Sequence, residues 1–257
     1  MSIHPTAVID SNAEVHPEAD IGPYVVVTGP VHIGRGTRVM AHSTLLGNTE
    51  IGADNEIHPG AVLGDTPQDT AYKGERSYLK IGDKNIIREY VQIHRGTKPE
   101  TSTVIGNENF LMAGSHVGHN CSLGNKIVMA NGAQLGGYVE VHDQVFISAH
   151  CLVHQFVRVG TLALMRGLSG TSRDVPPYSI MDWQHTVRGV NVVGLKRAGF
   201  SEKRIREIRE AFRVLFRKGR NLSLAMKEVE GKKDLSGDVL ALLKFIKTSE
   251  RGVCFGG

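Results

Sequence analysis

Starting at Ile3 and stepping six residues at a time, the chain is apolar at Ile9, Val15, Ile21, Val27, Ile33, Val39, Leu45, Ile51, Ile57 and Leu63. The series breaks at Asp69 and Glu75, resumes in phase at Ile81, Ile87 and Ile93, misses at Pro99, and continues from Ile105 to Met165. Only 3 of the 28 positions fail in a chain that is 40% hydrophobic, so chance placement is a poor explanation and a repeating structural unit a good one.

Two residues before many of these positions stands a small side chain: Ala7, Ala13, Ala19, Ser43, Ala61, Ser115, Cys121, Ala133, Cys151 and Ala163. An interval of two puts the small and the large residue on the same side of a short strand, facing inward. Glycine often follows the apolar residue (Gly22, Gly34, Gly52, Gly82, Gly106, Gly124, Gly160), where it is expected to supply the unusual backbone angles of a corner. Six residues per side and three sides per coil predict a triangular parallel β-helix of 18 residues per turn. Its apolar rows fill the prism, so chemistry is expected outside it, on loops or between neighbouring prisms, and long polar segments occur at 64–77 and 95–103 where the repeat fails. Cys121 and Cys151 are read as small interior spacers.

The pattern changes after residue 170. Pro176 and Pro177 interrupt any ladder, and the boundary is placed near 185, giving a β-helix over 1–185 and a helical domain over 186–257. There Ser201 offers an N-cap to a helix whose face carries Ile205, Ile208, Phe212, Leu215 and Phe216 before Gly219, and Val239–Ile246 predicts another. Residues 186–257 hold 17 Lys+Arg against 8 Asp+Glu, the remainder 13 against 18, so the basic charge is concentrated in the helical part. It is either a solvated face or a dock for an acidic partner or phosphate; without interleaved aromatics it does not read as a nucleic-acid surface. Three cysteines without paired spacing, no basic leader and no long apolar run give the expectation of a cytoplasmic protein that does not span a membrane.

The 18-residue coil also stacks chemistry. His119, Gly137 and Gln155 are 18 apart and fall on one corner, His154 borders Gln155, His94 joins them if the Pro99 segment replaces one hexad, and His116 points out from the adjacent face. A zinc site is one reading, but β-helix carbonic anhydrases place adjacent histidine ligands five apart, and His116 and His119 are three apart. A covalent nucleophile finds little support, since Cys121 faces inward and no serine flanks His119. General-base catalysis remains, with an imidazole taking a proton and the Gly137 N–H stabilising an oxyanion.

IHRGT (93–97), SHVGHNC (115–121), VHQF (153–156), DVPPY (174–178) and GVNVVGLKRAGFS (189–201), in this order, resemble the UDP-N-acetylglucosamine O-acyltransferase (LpxA) family across essentially the whole chain. The resemblance implies a left-handed β-helix, homotrimeric with sites between subunits, acting in the cytoplasm at the first step of lipid A biosynthesis. An (R)-3-hydroxyacyl chain would pass to the 3-hydroxyl of UDP-N-acetylglucosamine from acidic acyl carrier protein, whose phosphopantetheine thioester is the donor; no cofactor or metal is implied. His119 would be the base, Asn120 its neighbour in place of the usual aspartate, and Gly137 the oxyanion donor. Gln68, Asp69 and His116 would hold the sugar, His94, Tyr138, His154 and Gln155 would line the site, and Asn191 and Arg197 would face the nucleotide. Gly167 matches a position that limits acyl length. Asn120, Tyr138, Ala71 and Ala198 depart from the family pattern and keep two alternatives open, a 3-amino UDP sugar as acceptor or a CoA-dependent acetyltransferase on the same scaffold.

Overall fold

The computed structural model describes residues 2–216, 219 and 221–256. Its strands form three flat sheets, the sides of a prism. The first face begins with Ser2–Ile3 and Asp20–Ile21, the second with Val8–Ile9 and Val26–Thr28, and the third with Glu14–Val15 and Val31–Ile33. Within each face a strand pairs in parallel with the one a full coil away: Ile3 with Ile21, Ile9 with Val27, Val15 with Ile33. The expected triangular β-helix is what the chain forms.

The two breaks in the hexad series are insertions at one corner, between the second and third faces. Ile51 pairs with Ile81, a step of 30 residues, which is one 18-residue coil plus 12. Ile81 pairs with Ile105, a step of 24, one coil plus 6. Because both insertions are multiples of six, the inward phase survives them. The large residues of the series and their small partners are buried together, as with Ala61 and Leu63, Val91 and Ile93, and Cys121 and Leu123. Cys121 and Cys151 are interior spacers, and burial pushes the Cys121 thiol up to about 12.

The glycines after the apolar residues work differently from the expectation. Gly22, Gly34 and Gly106 do not adopt left-handed angles; they let consecutive coils touch. A Cβ on Gly22 would stand 3.0 Å from the Val39 carbonyl oxygen, and on Gly34 it would overlap the Gly52 carbonyl. The left-handed residue comes two positions later and is usually not glycine: Tyr24, Asp54, Lys84, Asn120, Tyr138 and Phe156 all have φ between 56° and 64°. Such angles strain a residue with a Cβ. Here the N–H of each is bonded to the preceding coil: Tyr138 N–H donates to the His119 carbonyl at 2.9 Å, while Tyr24 and Asn120 donate to the hydroxyls of Thr6 and Thr103 at 3.0 and 2.8 Å. Another corner is bound by an interior ladder in which the side-chain oxygens of Asn55 and Asn85 accept the backbone N–H of Asn85 and Asn109 at 2.9 Å, and that of Asn109 accepts Ile127 N–H at 2.8 Å.

On the first face Ser179–Asp182 is followed by antiparallel Thr186–Val190, then by four helices among the described residues, α1 Val192–Arg197, α2 Glu202–Leu215, α3 Leu222–Glu230 and α4 Gly237–Lys247, and finally by Phe255–Gly256, parallel to Thr186–Val190. Ser201 caps α2 by accepting Arg204 N–H, and Ile205, Ile208, Phe212 and Leu215 are its buried face. Two helices exceed the expectation. The sequence signal is weak for α1, only six residues long, and for α3, which buries only Ala225 and Val229. Arg158 ties the helices to the prism: its guanidinium pairs with buried Asp174 at 2.8 Å, donates to the Phe245 carbonyl at 3.0 Å and stacks over the Phe245 ring at 4.5 Å.

Candidate active site

Segment 66–77, segment 95–101, His119, Gly137 and Gln155 all lie at the corner between the second and third faces. Pairing of Val117 with Leu135 and of Leu135 with Val153 fixes the 18-residue register there. Gln68, His94, His116, Gly118, His119, Gly136, Gly137, His154 and Gln155 line one cleft of about 360 Å³.

Segment 95–101 and its stem hold the first insertion in place. His94 Nδ1 donates to the Thr66 carbonyl at 2.7 Å, and Arg95 donates to the Gly64 carbonyl at 2.8 Å and the Tyr72 hydroxyl at 3.0 Å. Asp69 is set by a local turn, its carboxylate accepting Ala71 N–H at 2.9 Å, and reaches to 3.7 Å from His119 Nε2.

The protons of His119 follow from its neighbour. Thr97 N–H donates to Asn120 Oδ1 at 2.9 Å, which identifies that atom as the oxygen. The same oxygen lies 3.1 Å from His119 Nδ1, so Nδ1 carries the ring hydrogen and Nε2 keeps its lone pair toward Asp69 and the cleft. Tyr138 packs edge-on against the His119 ring at 5.3 Å and stacks on Phe156 at 4.9 Å. Burial, with the Asp69 charge behind it, holds the Tyr138 phenol above its ordinary range.

Two further imidazoles present acceptors. His94 donates through Nδ1 and His116 bonds the Leu135 backbone; among the described residues the buried Nε2 of each has no hydrogen-bond partner. Their rings meet edge-on at 5.2 Å. Burial first, and His94 next, push His116 down to about 4.

Gly137 contributes backbone. The same place in the six-residue repeat is filled by proline at the other two corners, at Pro5, Pro17, Pro23 and Pro59, so the regular ladder does not need the N–H of that place. Among the described residues the Gly137 N–H has no hydrogen-bond partner, and Gly137 lines the cleft. Any Cβ at Gly137 would overlap His119 Nε2 and stand 2.5 Å from its Cε1.

Three expected residues lie elsewhere in the single chain. Asn191 is buried as the N-cap of α1, accepting Gly194 N–H at 3.0 Å and donating to the Leu162 carbonyl at 2.9 Å. Arg197 is exposed at the end of that helix, and neither lines the cleft. Gly167 sits at the corner between the first and second faces, where an added Cβ would meet nothing nearer than the Ala149 carbonyl oxygen at 3.6 Å. Sequence reasoning missed Phe156 as the outer wall of the Tyr138 stack, and Arg251, which approaches His154 from 97 residues away. Phe156 was legible, being 18 residues after Tyr138; Arg251 had no sequence signal. Among the described residues no three His, Cys, Asp or Glu side chains form a metal-holding group, and no helix is long and apolar enough to cross a membrane.

A family profile for bacterial transferase hexapeptides (six repeats) matches residues 30–65, and one for UDP-N-acetylglucosamine O-acyltransferase, domain 2, matches residues 174–254. A curated relative from Thermodesulfovibrio yellowstonii, an acyl-[acyl-carrier-protein]–UDP-N-acetylglucosamine O-acyltransferase, is 43% identical over 98% of both chains. The chain belongs to the UDP-N-acetylglucosamine O-acyltransferase family. Solved members superimpose closely. The Francisella novicida UDP-N-acetylglucosamine acyltransferase gives a TM-score of 0.94 at 37% identity, covering 98% of this chain and 94% of that one. LpxA from Bacteroides fragilis gives 0.93 at 38%, covering 98% and 99%. The protein is therefore an acyltransferase, and its prism is the left-handed β-helix of that family.

Proposed function

We propose that the protein transfers an (R)-3-hydroxyacyl chain from acyl carrier protein to the 3-hydroxyl of UDP-N-acetylglucosamine, with His119 as general base. The observation that carries this reading is the pairing, on one ridge, of a histidine whose Nε2 lone pair is free with a peptide N–H that the ladder leaves free. A hydroxyl fits about 2.8 Å from His119 Nε2 and donates its one hydrogen there, beside the Asp69 carboxylate 3.7 Å from that nitrogen. His119 Nε2 takes the hydroxyl proton as the oxygen bonds to the thioester carbon. The Gly137 N–H holds the resulting oxyanion, whose collapse breaks the C–S bond. The thiolate leaves with the proton from the imidazolium, giving ester and free thiol. Gln68 and the acceptor Nε2 atoms of His94 and His116 suit sugar hydroxyls. Acidic acyl carrier protein suits the basic helical domain, and a homotrimer, working in the cytoplasm, would bring Asn191 and Arg197 of one subunit toward the cleft of another. Gly167 leaves room for a long acyl chain.

The test is acyl transfer by purified protein with UDP-N-acetylglucosamine and 3-hydroxyacyl carrier proteins of several lengths. Product formation that His119→Ala lowers on the order of 1,000-fold supports the reading; absence of product at every length removes the substrate assignment. Asn120 favours a second reading, a 3-amino acceptor. A neutral amide stabilises an imidazolium less than a carboxylate does, and an amine, more nucleophilic than a hydroxyl, needs a weaker base. Competition between 3-hydroxyl and 3-amino UDP sugars separates the two.

A further inference from the structure

His154 stands where the catalytic cleft meets an adjoining, mostly apolar trough lined by Leu135, Leu152, Gly170 and Thr171. Its Nδ1 has two neighbours at 3.2 Å, the Gln155 carbonyl oxygen and Arg251 Nη2. A carbonyl only accepts and a guanidinium only donates, so Nδ1 satisfies one of them at a time. When the Arg251 bond is the one made, Nδ1 is the acceptor and the ring hydrogen sits on Nε2. Were Arg251 absent, Nδ1–H would turn to the Gln155 carbonyl and Nε2 would become an acceptor.

Arg251 is exposed but has a second side-chain contact. Its Nε approaches the Ser172 carbonyl at 3.3 Å. The chain just after it is strapped to the prism: the Gly252 carbonyl accepts Asp174 N–H at 2.9 Å, and Cys254 N–H donates to the Asp174 carbonyl at 2.8 Å. The consequence differs from the rest of the cleft, where His94 and His116 both present acceptor Nε2 atoms. We infer that Arg251, at the C-terminal strap, is a positioning residue that locks His154 in its Nε2–H tautomer, so that the site offers one imidazole donor to an acceptor oxygen of the bound ligand.

That oxygen belongs either to the acceptor sugar nucleotide or to the acyl donor, and here the inference rests on the proposed function. The tautomer itself does not, and is measured directly by two-bond 15N–1H spectra of histidine-labelled, full-length protein at about pH 8, above ordinary histidine titration. Signals of His154 are those lost in His154→Gln. The inference requires the Nε2–H pattern in the unsubstituted protein and a change toward Nδ1–H in Arg251→Ala; a Nδ1–H pattern in the former, or no change in the latter, overturns it. In the acyl-transfer assay, Arg251→Ala should raise one substrate's KM about fivefold, the worth of one modest hydrogen bond, and Arg251→Lys should restore most of it. Which KM rises identifies the source of the oxygen. Unchanged KM for both substrates would refute the ligand contact. Failure of acyl transfer by the unsubstituted protein would sink the proposed function while leaving the tautomer measurement standing.

Discussion

Gly137→Ala is the substitution whose outcome the geometry fixes most tightly. The new methyl would overlap His119 Nε2 and stand 2.5 Å from Cε1 and 3.1 Å from Cδ2. Ordinary carbon contacts lie at about 3.5 Å, so the ring must retreat by about 1 Å, taking Nε2 out of line with any hydroxyl beside Asp69. A displacement of that size costs on the order of 100-fold in rate. The methyl also crowds the approach to the Gly137 N–H, which in the proposed mechanism acts in the same step. Because the site is a surface corner outside the apolar rows, thermal stability should change little. Single-turnover acyl transfer and a melting curve are the paired assays. A loss on the order of 100-fold in kcat with the melting temperature held is the expected result. Retention of activity within about threefold would show that the reacting hydroxyl does not lie beside this ring.

Three other outcomes follow from the same structure. Asn120→Asp places a carboxylate beside His119 Nδ1, now 3.1 Å from an amide oxygen, and should raise the acidic limb of the kcat/KM profile by about one pH unit; an unmoved limb would separate His119 from the titrating base. His116 binds its proton near pH 4 in the folded chain and near 6.5 unfolded, so the unfolded state holds the extra proton between those values. Stability should therefore fall as pH drops through that window, and His116→Gln should flatten the fall in urea midpoints. Arg158→Ala strands the buried Asp174 carboxylate with the Ser249 hydroxyl and one backbone N–H, and should cost about 3 kcal/mol by chemical denaturation. A cost under about 0.5 kcal/mol would mean the pair does not hold the helices to the prism.

The repeat was legible because its cause is local: each coil must bury one large and one small residue per side, and the insertions, at 12 and 6 residues, do not shift that phase. The ridge was legible for the same reason, since a fixed coil length turns sequence spacing into spatial stacking. The role of the corner glycines was not, because their need comes from the neighbouring coil's backbone and not from their own φ. Helix α1 escaped because Asn191, its cap, precedes only six helical residues with Leu195 alone buried. Nothing in the chain announced Arg251, whose partner is set by how the helical domain folds back along the prism.

The most direct test of the account is a crystal structure of the protein with UDP-N-acetylglucosamine bound. The account predicts the sugar 3-hydroxyl oxygen within about 3.2 Å of His119 Nε2, with the Gly137 N–H open toward the face from which the thioester approaches. A sugar bound with that hydroxyl directed away from His119, beyond reach even through one water, would contradict the assignment of His119 as the base.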